Sequence, residues 1–157
     1  MSLNSFNALL AFAAQLERHV VSEQFHTKVV ITPSSVDEKG MVIKVSLLKS
    51  FIRAVPPSSR AARTLRIRVS VAGTAESMTG MEQALDAIEA LDRYLASPGL
   101  RLEAGPAEGA AAAIPDTRII QTVSGEDSFF DSPDSTEVQE IQDDRIVTIT
   151  IPEGVWV

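Results

Sequence analysis

Cysteine is absent from this chain of 157 residues. No disulfide, thiolate metal site or cysteine nucleophile can exist, which agrees with a reducing compartment. Also missing is any apolar run approaching the roughly 20 residues that span a bilayer, so no membrane protein is expected. The N-terminal region lacks a basic stretch ahead of a compact apolar segment; Phe6 to Val20 is interrupted by Gln15, Glu17, Arg18 and His19, and no signal peptide is expected. Gly99, Gly105 and Gly109 form neither G-x-G-x-x-G nor G-x-x-x-x-G-K-S/T, so nothing supports nucleotide binding. The two histidines, His19 and His26, have no cysteine and no partner at metal-ligand spacing, and neither builds a triad. No catalytic, metal or cofactor role is expected of them. Asp127, Asp131 and Asp134 lack the alternating carboxylates and central glycine of an EF-hand loop, which favours a solvated acidic loop over a Ca²⁺ site.

What the chain does have is charge sorted by position. Lys39 to Arg68 holds eight Lys or Arg and no acid, whereas Glu126 to Asp144 holds eight carboxylates and no base. Blocks of opposite sign on one molecule let copies attract head to tail, the contact type that closes into rings. The net charge of −7 repels nucleic acid on average, and no aromatic in the basic sequence stretch RTLRIRVSV is available to stack bases, so direct nucleic-acid binding is not expected. Arg60, Arg63, Arg66 and Arg68 are either the wet face of an ordinary strand region or a binding face. The missing acids raise the second reading, because a merely solvated face mixes signs. Its counterpart would be the acidic stretch with Glu126, Asp127, Asp131 and Asp134. Phe129-Phe130 within it is either a pair folded back on the core or an anchor into a neighbour.

Hydrophobic spacing gives the order of elements. Phe6, Leu9, Leu10, Ala13, Leu16 and Val20 predict a helix over about Ser5 to Val21. Lys28 to Thr32 and Met41 to Phe51 read as strands, with a turn at Asp37-Glu38-Lys39-Gly40 between them. Arg53 to Arg63, with Pro56-Pro57-Ser58-Ser59, reads as a loop. Leu65, Ile67, Val69 and Val71 alternate with Arg66, Arg68 and Ser70 as a half-buried strand. Thr79 and Glu82 suggest a capping box for a helix whose stripe is Met81, Ala84, Leu85, Ile88, Leu91 and Leu95. Strands follow at Thr117 to Val123 and Arg145 to Ile151, with a short one possible at Leu100 to Glu103. The chain reads as a single α+β domain over residues 1–157, a mainly antiparallel, mixed sheet with two helices packed on one face. A flexible connector at 104–115 and an acidic loop at 124–144 interrupt it.

This order resembles the tail terminator, or tail-completion, proteins of tailed bacteriophages. The resemblance is carried by a strand such as TLRIRVSVAGTA running into a helix such as GMEQALDAIEALDRYLA, then an insertion and the closing strand RIVTITIP. It implies a small α+β protein without catalytic residues or cofactor. Such a protein forms a hexameric ring on the end of the tail tube, stops tube growth and presents a surface for joining the head. Implied partners are other copies of the chain, the tail tube protein and a head-completion protein. The implied location is the virion tail, and the host cytoplasm during assembly. The competing expectation is a monomeric or dimeric bacterial α+β domain that binds a ligand or acts as an enzyme, with a pocket beneath the acidic loop.

Overall fold

A computed structural model describes residues 4–21, 28–31, 42–54, 61–75, 77–105, 111–124, 129–131 and 139–152. Helix α1 (Ser5–His19) begins where the Asn4 side chain accepts the backbone N–H of Asn7 at 2.8 Å. That bond satisfies one donor the helix leaves orphaned. Ala8, Leu9, Phe12, Ala13 and Leu16 form its buried stripe, but Phe6 and Leu10 of the predicted stripe are exposed.

Helix α2 (Met78–Leu95) is capped by Ser77, whose hydroxyl accepts the Gly80 N–H at 3.0 Å, not by a box at Thr79 and Glu82. Its buried side chains are Ala84, Ala87, Ile88, Leu91 and Leu95. Leu85, one residue past Ala84, is rotated off that stripe by about 100° and is exposed. Neither helix is long and apolar enough to cross a membrane.

The strands are β1 (Lys28–Ile31), β2 (Val42–Ala54), β3 (Ala61–Ala75), β4 (Glu103–Ala104), β5 (Ala112–Ala113), β6 (Arg118–Ser124), β7 (Phe129–Asp131) and β8 (Gln139–Pro152). The main sheet has the order β1-β2-β3-β8-β6, with β7 beside β8 farther along the edge that β6 occupies. β1 runs parallel to β2 and every other pairing is antiparallel. The fold is α+β.

Period-two alternation sorts the faces. Leu65, Ile67, Val69 and Val71 of β3 are fully buried, and they join Ile43, Val45, Val147, Ile149 and Ile151 with both helices in one core. Arg66 and Arg68 point to the opposite, open face. A bulge between Leu47 and Lys49 shifts the β2 register by one residue, so Lys49, Phe51 and Arg53 share the open face with Arg66.

Three expected loops are narrower than the sequence reading. β2 reaches Ala54 and β3 starts at Ala61, so both ends of the expected loop are strand, and residues 55–60 with the prolines lie outside the described residues. Ala104 and Ala112–Ala113 of the expected connector make the β4–β5 ladder. Much of the expected acidic loop is strand. Phe129–Asp131 pairs with β8, and Gln139–Asp144 opens β8 itself, because Ile141 and Asp143 face the core while Ser70 to Ala75 of β3 supply the ladder. The expected turn at residues 37–40 lies outside the described residues.

Candidate self-association surface

The open face of the sheet is basic at one end. Lys49 of β2 stands opposite Arg66 of β3, with Thr148 of β8 and Ile120 of β6 continuing the same row. In neighbouring rows lie Arg68, Lys44, Arg53 and Arg118, all exposed. Phe51 lies between Lys49 and Arg53, whose charged groups sit 5.5 and 5.3 Å from its ring centre. Among the described residues Arg66 and Arg68 have no ion-pair partner. Like charges directly opposite in an antiparallel pair are destabilising, so Lys49 and Arg66 create a demand for an anion that this face does not meet.

The antiparallel pairing of β3 with β8 explains why the demand goes unmet. The basic residues lie in the first half of β3 and the acids in the first half of β8, and antiparallel strands place first halves at opposite ends. Arg66 pairs with Thr148, whereas Glu140 pairs with Thr74 and with Asp131 of β7. Eight residues along β3 separate those rows, about 27 Å at the rise of a strand. Asp144 is nearer, level with Ser70 and Lys44 and two residues from the row of Arg68. It is therefore the Lys49–Arg66 pair that lies far from the Glu140 row, well beyond the screening length of about 8 Å at physiological ionic strength.

The ten sequence-predicted site residues divide in four. Arg66 and Arg68 share the open face. Arg63 has the parity of Leu65 and faces the helix side, where its Nη1 donates to the Ser5 hydroxyl at 3.0 Å at the start of α1. The backbone of Phe129, Phe130 and Asp131 forms β7 at the acidic end. Arg60, Glu126, Asp127 and Asp134 lie outside the described residues.

No protein-family model and no curated protein matches this sequence. The chain is similar to a chain of the virion of a native gene transfer agent particle. The two share 13% identity with a TM-score of 0.45, over 91% of this chain and 94% of that one.

Two polar clusters were invisible in the sequence because their members lie far apart along the chain. Asp143, counted in the acidic block, is turned inward. It clamps the buried Arg145 guanidinium at 2.6 to 2.7 Å, together with Asp92 of α2, whose Oδ2 accepts at 2.8 Å. Burial alone would lower the Arg145 pKa, but the hydrogen bonds and charges of Asp92 and Asp143 raise it, so the cation is locked.

The second cluster joins the end of α1 to residues 101–103. Fully buried Gln15 donates from Nε2 to the Tyr94 hydroxyl at 2.7 Å and to the Arg101 carbonyl at 2.8 Å, and its Oε1 accepts the Glu103 N–H at 2.9 Å. Glu103 in turn receives Arg18 and His19, each at 2.8 Å, and His19 stacks on Tyr94. Burial pushes the Glu103 carboxyl up, yet the hydrogen bonds from Arg18 and His19 outweigh it and hold the group below the usual carboxylate range. Burial raises the Tyr94 hydroxyl. His19, read from the sequence as lacking a partner at metal-ligand spacing, is built into a structural bracket; His26 lies outside the described residues.

Among the described residues, an open hollow beside β6 is lined by Leu100, Arg101, Asp116, Thr117, Arg118 and Ile120. Among its described lining residues there is one carboxylate and no histidine. Among the described residues as a whole, no three His, Asp or Glu converge as metal ligands would.

Proposed function

We propose that this chain is a self-associating structural subunit of a phage or prophage tail. It forms a ring, hexameric by the resemblance, that caps the tail tube and supports joining of the head. The observation that carries self-association is the like-charge pair of Lys49 opposite Arg66, without an ion-pair partner among the described residues and about 27 Å along β3 from the Glu140 row. Each end is complementary to the other end of a second copy. The tail-terminator assignment is supported by the order of elements behind the resemblance: α1, the β2–β3 hairpin, a direct run from β3 into α2, and a long closing strand β8.

The basic end with Arg60, Arg63, Arg66 and Arg68 contributes one side of the contact, and Glu126, Asp127, Phe129, Phe130, Asp131 and Asp134 the other. Arg63 contributes by positioning α1 rather than by touching the neighbour. Exposed ion pairs are worth about 0 to 1 kcal/mol each, so charge orients the contact and apolar groups hold it. Binding and not turnover is the activity, with neighbouring copies, the tube protein and a head-completion protein as partners in the virion.

A second reading, a ligand-binding or enzymatic domain, has one observation in its favour: the hydrogen-bonded His19, Glu103 and Tyr94 cluster. Mass in solution separates the two. Self-association predicts several times the 16.9 kDa subunit, and the enzyme reading predicts one or two times.

A further inference from the structure

Both lateral edges of the main sheet are partly unoccupied, and they differ in chemistry. On one side β1 covers β2 only from Val42 to Val45. Among the described residues no strand takes that edge from Leu47 to Ala54. On the other side, the start of β6 is covered by Leu100, whose carbonyl accepts the Ile119 N–H at 3.0 Å. Beyond it the outer edge on that side is the rest of β6 and, farther along, β7. The β2 segment belongs to the stretch without a single acid and exposes Lys49 and Arg53; β7 contains Asp131 and is flanked in the chain by Glu126, Asp127, Asp134 and Glu137.

We propose that copies of this chain join by strand addition: the free edge of β2 lies antiparallel beside β7 of a second copy, so that one sheet continues into the next. This rests on the self-association proposed above and specifies its contact. Three further features favour a second copy as the occupant.

Direction is the first. β2 is antiparallel to β3, β3 to β8 and β8 to β7, so β2 and β7 run oppositely within one copy. A neighbour related by rotation about an axis along the strands therefore presents β7 antiparallel to β2, the pairing with perpendicular hydrogen bonds.

Apolar cover is the second. The α1 start is held beside the β2 edge by the Ser5 and Ser50 hydroxyls at 2.5 Å. Exposed Phe6, Leu10, Leu47 and Ile52 lie on these two elements, with Phe6 and Ile52 each 59% exposed. An exposed strand edge with apolar side chains is a template for another chain.

Stagger is the third. The free part of β2 is level with Ala61 to Ile67 of β3, whereas β7 is level with Ala72 to Thr74. Edges offset in this way tilt the strands of successive copies, the relation between stagger and tilt that closes barrels, and a repeated heterologous contact closes into a ring.

The native lack of cysteine makes the test clean. Ser50→Cys is combined with Ser124→Cys in one chain and with Ser132→Cys in another, bracketing β7; the three single variants serve as controls. Each chain is concentrated, mildly oxidised and run without reductant, with its mass measured in parallel before oxidation. Strand addition predicts a ladder of covalent multimers from at least one double variant and none from Ser50→Cys alone. A covalent dimer from Ser50→Cys alone would mean symmetric β2–β2 pairing and overturn the proposal. An oligomeric mass with no ladder from either double variant would overturn strand addition and leave self-association standing. A mass of one subunit at every concentration, with no ladder, would overturn both.

Discussion

Lys49 and Arg66 face each other directly across the β2–β3 ladder on the open face of the sheet, two like charges in one cross-strand pair. Such a pair lowers the stability of the isolated subunit, and its presence makes sense where an anion from another molecule completes it. Lys49→Glu should therefore raise subunit stability by about 0.2 to 1 kcal/mol through a new pair with Arg66, while weakening self-association. Urea unfolding at low concentration and sedimentation at high concentration read the two effects separately; a variant that gains stability and assembles as before would detach this pair from assembly.

Ile67 is fully buried at the centre of β3, among Ile43, Val147 and the helices. Ile67→Ala should cost about 2 to 5 kcal/mol, since the removed methyls leave a cavity that rigid strands on both sides do not fill. Chemical denaturation measures it, and a loss below about 0.5 kcal/mol would contradict this packing.

Arg145 depends on two carboxylates of unequal burial, with Asp143 side-chain exposure at 9% and Asp92 at 45%. Asp143→Ala should cost about 3 to 5 kcal/mol, as expected for removing one partner of a buried pair. Asp92→Ala should cost less, because water replaces its half-exposed carboxylate. Equal losses, measured by thermal unfolding, would contradict the difference in burial.

Glu103 is held below the usual carboxylate range by Arg18 and His19. A depressed folded pKa means the unfolded chain binds the proton more readily, so the group stabilises the fold above its unfolded pKa of about 4.3 and loses that contribution as pH falls through the folded value. The stability gap between the native chain and Glu103→Gln should narrow below about pH 4.3. A gap independent of pH across that window would show that the carboxylate contributes only its shape.

Much of the fold could be read from local pattern, as β3, α2 and the end of β8 illustrate. Arg63 shows how a neighbouring error spreads: its two-residue spacing from Leu65 places it on the helix side, but reading 53–63 as loop hid that parity and grouped it with Arg66 and Arg68. Leu85 was assigned to the core because a stripe of apolar residues does not say how wide the covered strip is. Asp143 and Gln15 were illegible for another reason. Asp143 pairs with Arg145 only two residues on, but the Asp92 that completes the site is 53 residues from Arg145, and Gln15 meets Tyr94, Arg101 and Glu103 across 79 to 88 residues, separations that only the tertiary fold closes. The charge blocks were visible in the sequence, yet only the β3–β8 register shows that the Lys49–Arg66 row and the Glu140 row lie eight residues apart along β3 while Lys44 and Asp144 share a row.

The most direct test of head-to-tail charge complementarity is the solution mass of two charge-reversed variants, alone and mixed. One carries Arg66→Glu and Arg68→Glu; the other carries Asp131→Lys and Asp134→Lys. Each alone places like charges at the contact and should sediment at a lower mass than the native chain at the same concentration. An equimolar mixture should recover higher-mass species containing both, because the acidic segment of the first variant again meets the basic face of the second. If both variants assemble as the native chain does, or if mixing restores nothing, the charged ends are solvated surfaces of a single subunit and the account of self-association is wrong.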